Sequence, residues 1–393
     1  MEAGNLSRMT LTEIRHDLHA HPQIRFEETH ASALVQKELT ALGIEFKAGL
    51  AKGTGVLGYL PATTDPATAP TIALRADMDA LPIHEETGKS YSSTIPGRMH
   101  ACGHDGHTTI LIGVARQLAA KTHRPNNILF VFQPAEEGGA GGKYMVEDGC
   151  LNGTLLGNKA DFMFGLHGWS SVKYGHVATK VGSLMASTDD FRVEYFGQGG
   201  HAAAPETTKD PVIALASLIS SLQTIASRNV DPFEQVVVTV GQVHAGTTHN
   251  IIPMSGFLQG TIRAMNAEVR ELACERVRTI SAGIATAFDM RADIKVSRGY
   301  PIVINHPEAV ERFLKVARKE LGDEFVSHEG KPTMGGEDFA FYGPECPSCF
   351  YQLGLIPDGR EDYESVHTPF FDFNDEAIEI GVRVMTSIAL STE

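Results

Sequence analysis

Three apolar runs in this chain each end on residues that bind metals or move protons, and that coupling restricts the fold more than any other feature. Ile72-Ala73-Leu74 leads into Arg75-Ala76-Asp77-Met78-Asp79, and Ile128-Leu129-Phe130-Val131-Phe132 delivers Gln133-Pro134-Ala135-Glu136-Glu137. A third run, Asp161 to Leu166, delivers His167. Unbroken apolar stretches of this length read as strands buried on both faces, as in a largely parallel sheet covered by helices. Open α/β sheets place their chemistry at the carboxyl ends of such strands. Helical patterns alternate with the runs. Thr10-Leu11-Thr12-Glu13 has capping-box spacing ahead of Ile14 and Leu18, and Leu34, Val35, Leu39 and Leu42 lead up to a capping Gly43.

The densest cluster of potential ligands is Met99-His100-Ala101-Cys102-Gly103-His104-Asp105-Gly106-His107. A helical stripe of Ile110, Leu111, Val114 and Leu118 follows it, so the ligand-rich turn sits at the mouth of a buried element. Thiolate and imidazole suit borderline-soft divalent ions. Cys102 and His104 then belong with Glu137, His167 and the distant His367 of Val366-His367-Thr368-Pro369, scatter expected when ligands come from several strand ends. The neighbouring Glu136 and Glu137 invite a division of labour, one ligand and one base. Asp77 and Asp79 read as carboxylates that orient ligand histidines, and Asp105 and His107 as support for the turn. His19 and His21 precede Pro22, which ends their helix, and read as structural.

From about Asp189 the texture changes to alternating, half-exposed strands. A strand near 191–196, a helix opened by Asp210-Pro211, strands at 236–243 and 256–265, a helix capped by Asn266 and a strand near 292–296 give the order βαββαβ, the ferredoxin-like unit. The expected domains are a discontinuous catalytic one, residues 1–186 and 298–393, and an inserted one, 187–297.

A net charge of −15 over 393 residues argues against nucleic acid and anionic bilayers as partners. The first five residues carry neither a basic start nor an apolar core, so cytoplasm is the expected compartment. Five cysteines do not suggest a disulfide framework. Gly138 to Lys143 resembles a phosphate loop only superficially, since Glu137 and Tyr144 occupy its key positions. Cys346-Pro347-Ser348-Cys349 has redox spacing without a thioredoxin-like context; a non-catalytic metal- or redox-binding protein is the remote alternative it supports. His244 and His249 read as turn residues.

The motifs together resemble the aminoacylase/hippurate-hydrolase branch of the co-catalytic metallopeptidases, the group that includes plant hydrolases of auxin–amino-acid conjugates. The resemblance is carried by Ala76 to Pro82, Met99 to His107, Gln133 to Gly139, Gly165-Leu166-His167, Gly199-Gly200-His201-Ala202-Ala203, Asn250-Ile251-Ile252-Pro253, Gly260-Thr261-Ile262-Arg263 and Gly336-Glu337-Asp338-Phe339. It implies a metallopeptidase-type α/β catalytic domain with an inserted satellite domain that dimerises or forms a higher homo-oligomer. It further implies two divalent ions, zinc or manganese with cobalt or nickel as options, held by Cys102, His104, Glu137, His167 and His367. Glu136 would be the general acid/base, and His201 would assist at the scissile carbonyl of its own or a neighbouring subunit's site. Asn250 and Arg263 would recognise the free carboxylate of an N-acyl-L-amino acid, with N-acetyl-diaminopimelate or a dipeptide as alternative substrates. Where the branch often has Asn and a nearby Pro after the ligand histidine, this chain has Gly168-Trp169-Ser170, which bears on pocket shape.

Overall fold

The architecture was taken from a computed structural model that describes residues 8–392, so the stretch read for an export signal lies outside it. The chain divides into two compact units. One comprises residues up to Gly182 with Ile304–Lys331 and Asp338–Glu393; the other comprises Ser183–Val303 with Pro332–Glu337. The segment expected as an insert, 187–297, lies within the second unit, which begins earlier, ends later and takes in 332–337. Backbone pairing explains the difference: Ala186 N–H reaches the carbonyls of Thr333 at 3.1 Å and Gly335 at 2.9 Å, and Thr333 N–H reaches Leu184 O at 3.0 Å.

In the first unit, eight strands run in the order Glu45–Leu50, Gly55–Leu60, Asn127–Gln133, Thr71–Asp77, Phe162–Lys173, Ser348–Ile356, Val177–Ala178 and Val326–Ser327. The four central strands are parallel, and antiparallel neighbours flank them on both sides. The three apolar runs are adjacent central strands, and Leu74, Phe130, Phe132 and Phe164 have no exposed surface. Their register sets Asp77 opposite Gln133 and Gln352 opposite His167, so the polar ends emerge along one edge.

The helix His104–Ala119 starts at that edge. Gly103 precedes it with φ 91°, a left-handed geometry that favours glycine. One turn in, a Cβ on Gly106 would lie 2.6 Å from the Phe373 ring, which fixes the helix against the chain that follows His367. The capping box at Thr10 forms, with Glu13 N–H on Thr10 Oγ1 at 3.2 Å.

The second unit is a four-stranded antiparallel sheet, Val236–Ala245, Ser255–Ala264, Ser187–Phe196 and Arg291–Arg298 in spatial order. Numbered along the chain this is 2-3-1-4, the ferredoxin-like arrangement expected from βαββαβ. Helices Pro211–Leu222 and Ala267–Ala287 cover one face, where Leu215, Leu218, Ala273 and Val277 pack on Val193, Tyr195, Leu258 and Ile262. Asp210 and Asn266 cap those helices through their side chains.

Candidate metal centre

Asp77 and Asp79 leave the central strand and organise two histidines. Asp79 Oδ1 accepts the Nδ1 proton of His104 at 3.1 Å, and its other oxygen takes Glu137 N–H at 2.8 Å. Asp77 Oδ1 accepts from His107 Nδ1 at 2.7 Å, and Gly168 N–H donates to His107 Nε2 at 2.8 Å. Both nitrogens of His107 are therefore used, and it is a support residue. The carbonyl of the same Gly168 receives the Nδ1 proton of His167 at 2.7 Å, which turns His167 Nε2 towards Cys102 Sγ at 3.3 Å. Gly168 has no room for a side chain, since a Cβ would meet Phe373 at 2.7 Å.

The five expected ligands converge. Donor atoms of Cys102, His104 and His167 lie within 4.8 Å of one another, as do those of Cys102, Glu137 and His367, and those of His104, Glu136 and Glu137. The first two triads share Cys102. His367 comes in on a left-handed backbone (φ 63°), with its N–H on Ala101 O at 2.8 Å and its Nε2 2.9 Å from Glu137 Oε1.

The donor chemistry fits divalent cations. His104 Nε2 is buried without a hydrogen-bond partner. Burial opposes a charge on His104, but Asp77, Asp79 and Glu137 outweigh it and push its pKa up to about 10. Burial, then the charges of Glu137, Glu136 and Asp77, drive the Cys102 thiol well above its usual range. Burial, then His107, holds His167 well below the usual imidazole value, so its Nε2 offers a lone pair. A thiolate buried among carboxylates is costly until positive charge is supplied. Cys, His and Glu together are the donor set of zinc-type ions.

The glutamate pair sits on a strained turn. Ala135 (φ 55°), Gly138 (φ 75°) and Ala140 (φ 57°) all have left-handed backbones. Such non-glycine residues cost of order 1 kcal/mol or more each and persist where surrounding bonds enforce them. Buried Glu28 supplies one, accepting Ala135 N–H at 2.9 Å along with Phe26 N–H and the Thr54 hydroxyl. Burial, then Asp79, pushes Glu28 up to about 7. Asp338 supplies another by accepting Gly142 N–H at 2.8 Å, and it also receives Arg75 and Gln133 at 3.0 and 2.8 Å. Burial pushes it up to about 6.

Sequence reasoning passed over Glu28, Arg75 and Gln133 and left Asp338 without a role. An arginine two residues before a motif aspartate, in an otherwise apolar strand, is the signal that could have found the network. Arg75 is fully buried and donates to Asp77 at 2.7 Å and Gln133 at 2.9 Å.

The other expected residues lie in the second unit. His201 is exposed in a short ladder opposite Ile251, and its Nδ1 accepts Ala203 N–H at 3.0 Å. Asn250 adjoins the same ladder, its carbonyl receiving Ala202 N–H at 3.2 Å. Arg263 lies opposite Thr188 at the far end of the strand Ser255–Ala264. About 27 Å of strand separates Ser255 from Arg263. Gly336 lies under the Arg263 guanidinium, its Cβ position 3.3 Å from Nη1. Cys346 and Cys349 are buried free thiols that burial pushes up to about 12, unlike the exposed, low-pKa thiols of redox centres. Among the described residues no helix is long and apolar enough to cross a membrane.

The chain matches the model of peptidase family M20/M25/M40 over residues 73–391. It is 37% identical over 386 residues to the IAA-amino acid hydrolase ILR1-like 2 of Arabidopsis thaliana, covering 97% of this chain and 84% of that protein. It is 40% identical over 345 residues to the N-acetyldiaminopimelate deacetylase of Streptococcus sanguinis, covering 87% and 89%. The crystal structure of the Bacillus subtilis YXEP protein, described as a dinuclear metal binding peptidase from the M20 family, superposes with a TM-score of 0.81 at 32% identity, covering 97% and 96%. With Cys, His and Glu donors converging on one sheet edge, the chain belongs to peptidase family M20/M25/M40 and is a metal-binding hydrolase of its amidohydrolase type.

Proposed function

We propose that this protein hydrolyses the amide bond of N-acyl-L-amino acids of the hippurate or auxin-conjugate kind, releasing a carboxylic acid and a free amino acid. The observation that carries the reading is the proximity of Glu136 to the donor set: its carboxylate groups with His104 and Glu137 within 4.8 Å, and Oε1 accepts Asp338 N–H at 3.4 Å. Cys102, His104, Glu137, His167 and His367 would hold two divalent ions, zinc or manganese, which would supply Lewis-acid polarisation of the amide carbonyl and a more acidic water. Glu136 removes the proton from the attacking water and passes it to the leaving amide nitrogen, while Asp79 and Gly168 keep His104 and His167 in the tautomers that face the donor set.

Arg263 and Asn250 bind the substrate carboxylate, and His201 assists at the carbonyl. The fork of an arginine suits a carboxylate. His201 and Asn250 cluster on one ladder while Arg263 sits at the other end of its strand, an arrangement that favours a homodimer in which the two groups serve different subunits' centres. The acidic charge and unbridged thiols favour the cytoplasm.

The deacetylase relatives favour a second reading, N-acetyl-diaminopimelate or a similar acetylated amino acid, by the same chemistry in another pocket. A panel of N-acyl amino acids, assayed after chelation and add-back of Zn²⁺, Mn²⁺, Co²⁺ or Ni²⁺, tests both. Turnover restricted to one acyl class after add-back is expected, and activity that survives complete chelation overturns the reading.

A further inference from the structure

The two histidines of Leu18-His19-Ala20-His21-Pro22 part in the fold. His19 turns inward, with Nδ1 2.8 Å from Asp105 Oδ2 and Nε2 3.3 Å from Glu85 Oε1. His21 caps the helix and turns outward, where it meets Asp17 from the preceding turn and His30 from the start of the next helix, Thr29–Ala41. His30 Nε2 lies 2.8 Å from Asp17 Oδ2, and His21 Nδ1 lies 3.4 Å from Asp17 Oδ1 and 2.8 Å from its carbonyl oxygen. The two imidazoles face each other at 4.6 Å between centroids, tilted by 35°. Gln23 fixes the approach of the second helix, accepting His30 N–H at 2.6 Å and donating to the Thr29 hydroxyl at 3.0 Å.

We propose that Asp17, His21 and His30 form an additional site for one borderline divalent cation of the Zn²⁺ or Ni²⁺ kind, outside the hydrolytic centre. Their donor atoms all lie within 4.8 Å of one another. Bonds of about 2.0–2.1 Å around a tetrahedral ion set neighbouring ligand atoms roughly 3.3 Å apart, and the observed separations of 2.8 and 3.4 Å from the carboxylate bracket that value. Two nitrogen donors beside one carboxylate select such ions over calcium or magnesium, which prefer oxygen cages. The side chains are 29–43% exposed, so an ion can reach them and water can complete the coordination. Loading the site requires His21 to exchange its bond to the Asp17 carbonyl, and His30 its bond to the Asp17 carboxylate, for the ion. In return the last turn of one helix is pinned to the first turn of the next.

The test uses the full chain with its hydrolytic centre loaded. After equilibrium dialysis against micromolar Zn²⁺, the wild type is expected to hold one more ion per chain than His30→Gln or His21→Gln. It should also show a Zn²⁺-dependent rise in melting temperature that both variants lose, with hydrolysis rates unchanged. The readout is the difference between wild type and variants, so it stands whatever the hydrolytic centre binds. Equal metal content in all three proteins overturns the proposal.

Discussion

Asp77 and His107 lie 2.7 Å apart, oxygen to Nδ1, and this pairing commits one of the clustered imidazoles to support. The other Asp77 oxygen takes the buried Arg75 guanidinium at 2.7 Å, so one carboxylate balances two groups beneath the metal centre. Asp77→Asn removes one of the two carboxylates that balance Arg75 and leaves Asp338, at 3.0 Å, as its remaining counter-charge. Breaking a buried pair this way costs about 3–5 kcal/mol. Thermal or denaturant unfolding should show that loss, and a stability change under about 1 kcal/mol would contradict the balance described.

Glu136→Gln is expected to retain bound metal and fold while turnover falls by about 10²–10⁴, the usual weight of a general acid/base. Metal analysis alongside steady-state kinetics checks it. Near-normal kcat in the variant would remove Glu136 from its proposed role.

Arg263→Ala should reduce kcat/KM by roughly 10- to 100-fold for substrates with a free carboxylate, in line with about 1.5–3 kcal/mol for a hydrogen bond to a charged group. Carboxamide analogues should lose little. An equal loss on both substrate types would assign Arg263 a purely structural part.

Stability should fall as pH rises from neutrality. Burial opposes protonation of His19, but hydrogen bonds to Asp105 and Glu85 outweigh it and push its pKa up to about 9 in the folded chain. In the unfolded chain an ordinary histidine titrates near 6.5. The folded state binds the extra proton, so this contribution, of order 3 kcal/mol, is complete below pH ~6.5 and is lost as pH climbs through ~9. Denaturation midpoints across that window, compared with His19→Asn, read the effect. Parallel curves for both proteins would refute it.

Gly106→Ala tests the anchorage of the ligand-bearing helix. Its Cβ would stand 2.6 Å from the Phe373 ring, and overpacking of this kind costs about 1–3 kcal/mol. Melting temperature should drop in the single variant and recover in part when Phe373→Leu is added.

Much of the catalytic unit was legible locally. Apolar runs ending at Asp77, Gln133 and His167 identified adjacent central strands, because burial on both faces demands unbroken apolar sequence. The ferredoxin-like order of the insert followed from capped helices between alternating strands. Cys102, His104, Glu137, His167 and His367 were picked out by chemistry and resemblance, and the fold gathers them.

Tertiary structure decided what depends on contacts between distant segments. The segment 332–337 joins the second unit because its backbone pairs with Leu184 and Ala186, a bond pattern that any side chains could accompany. Only the fold separates His19 from His21, two residues apart in the chain, sending one to a buried carboxylate and the other to the surface. Glu28 and Asp338, far from each other in sequence, hold the strained turn of Glu136 by accepting main-chain N–H groups. Sequence patterns report which residues must leave water, since that follows from each side chain's own chemistry. Which buried polar group satisfies which is fixed only when the packed chain leaves each donor one acceptor within reach.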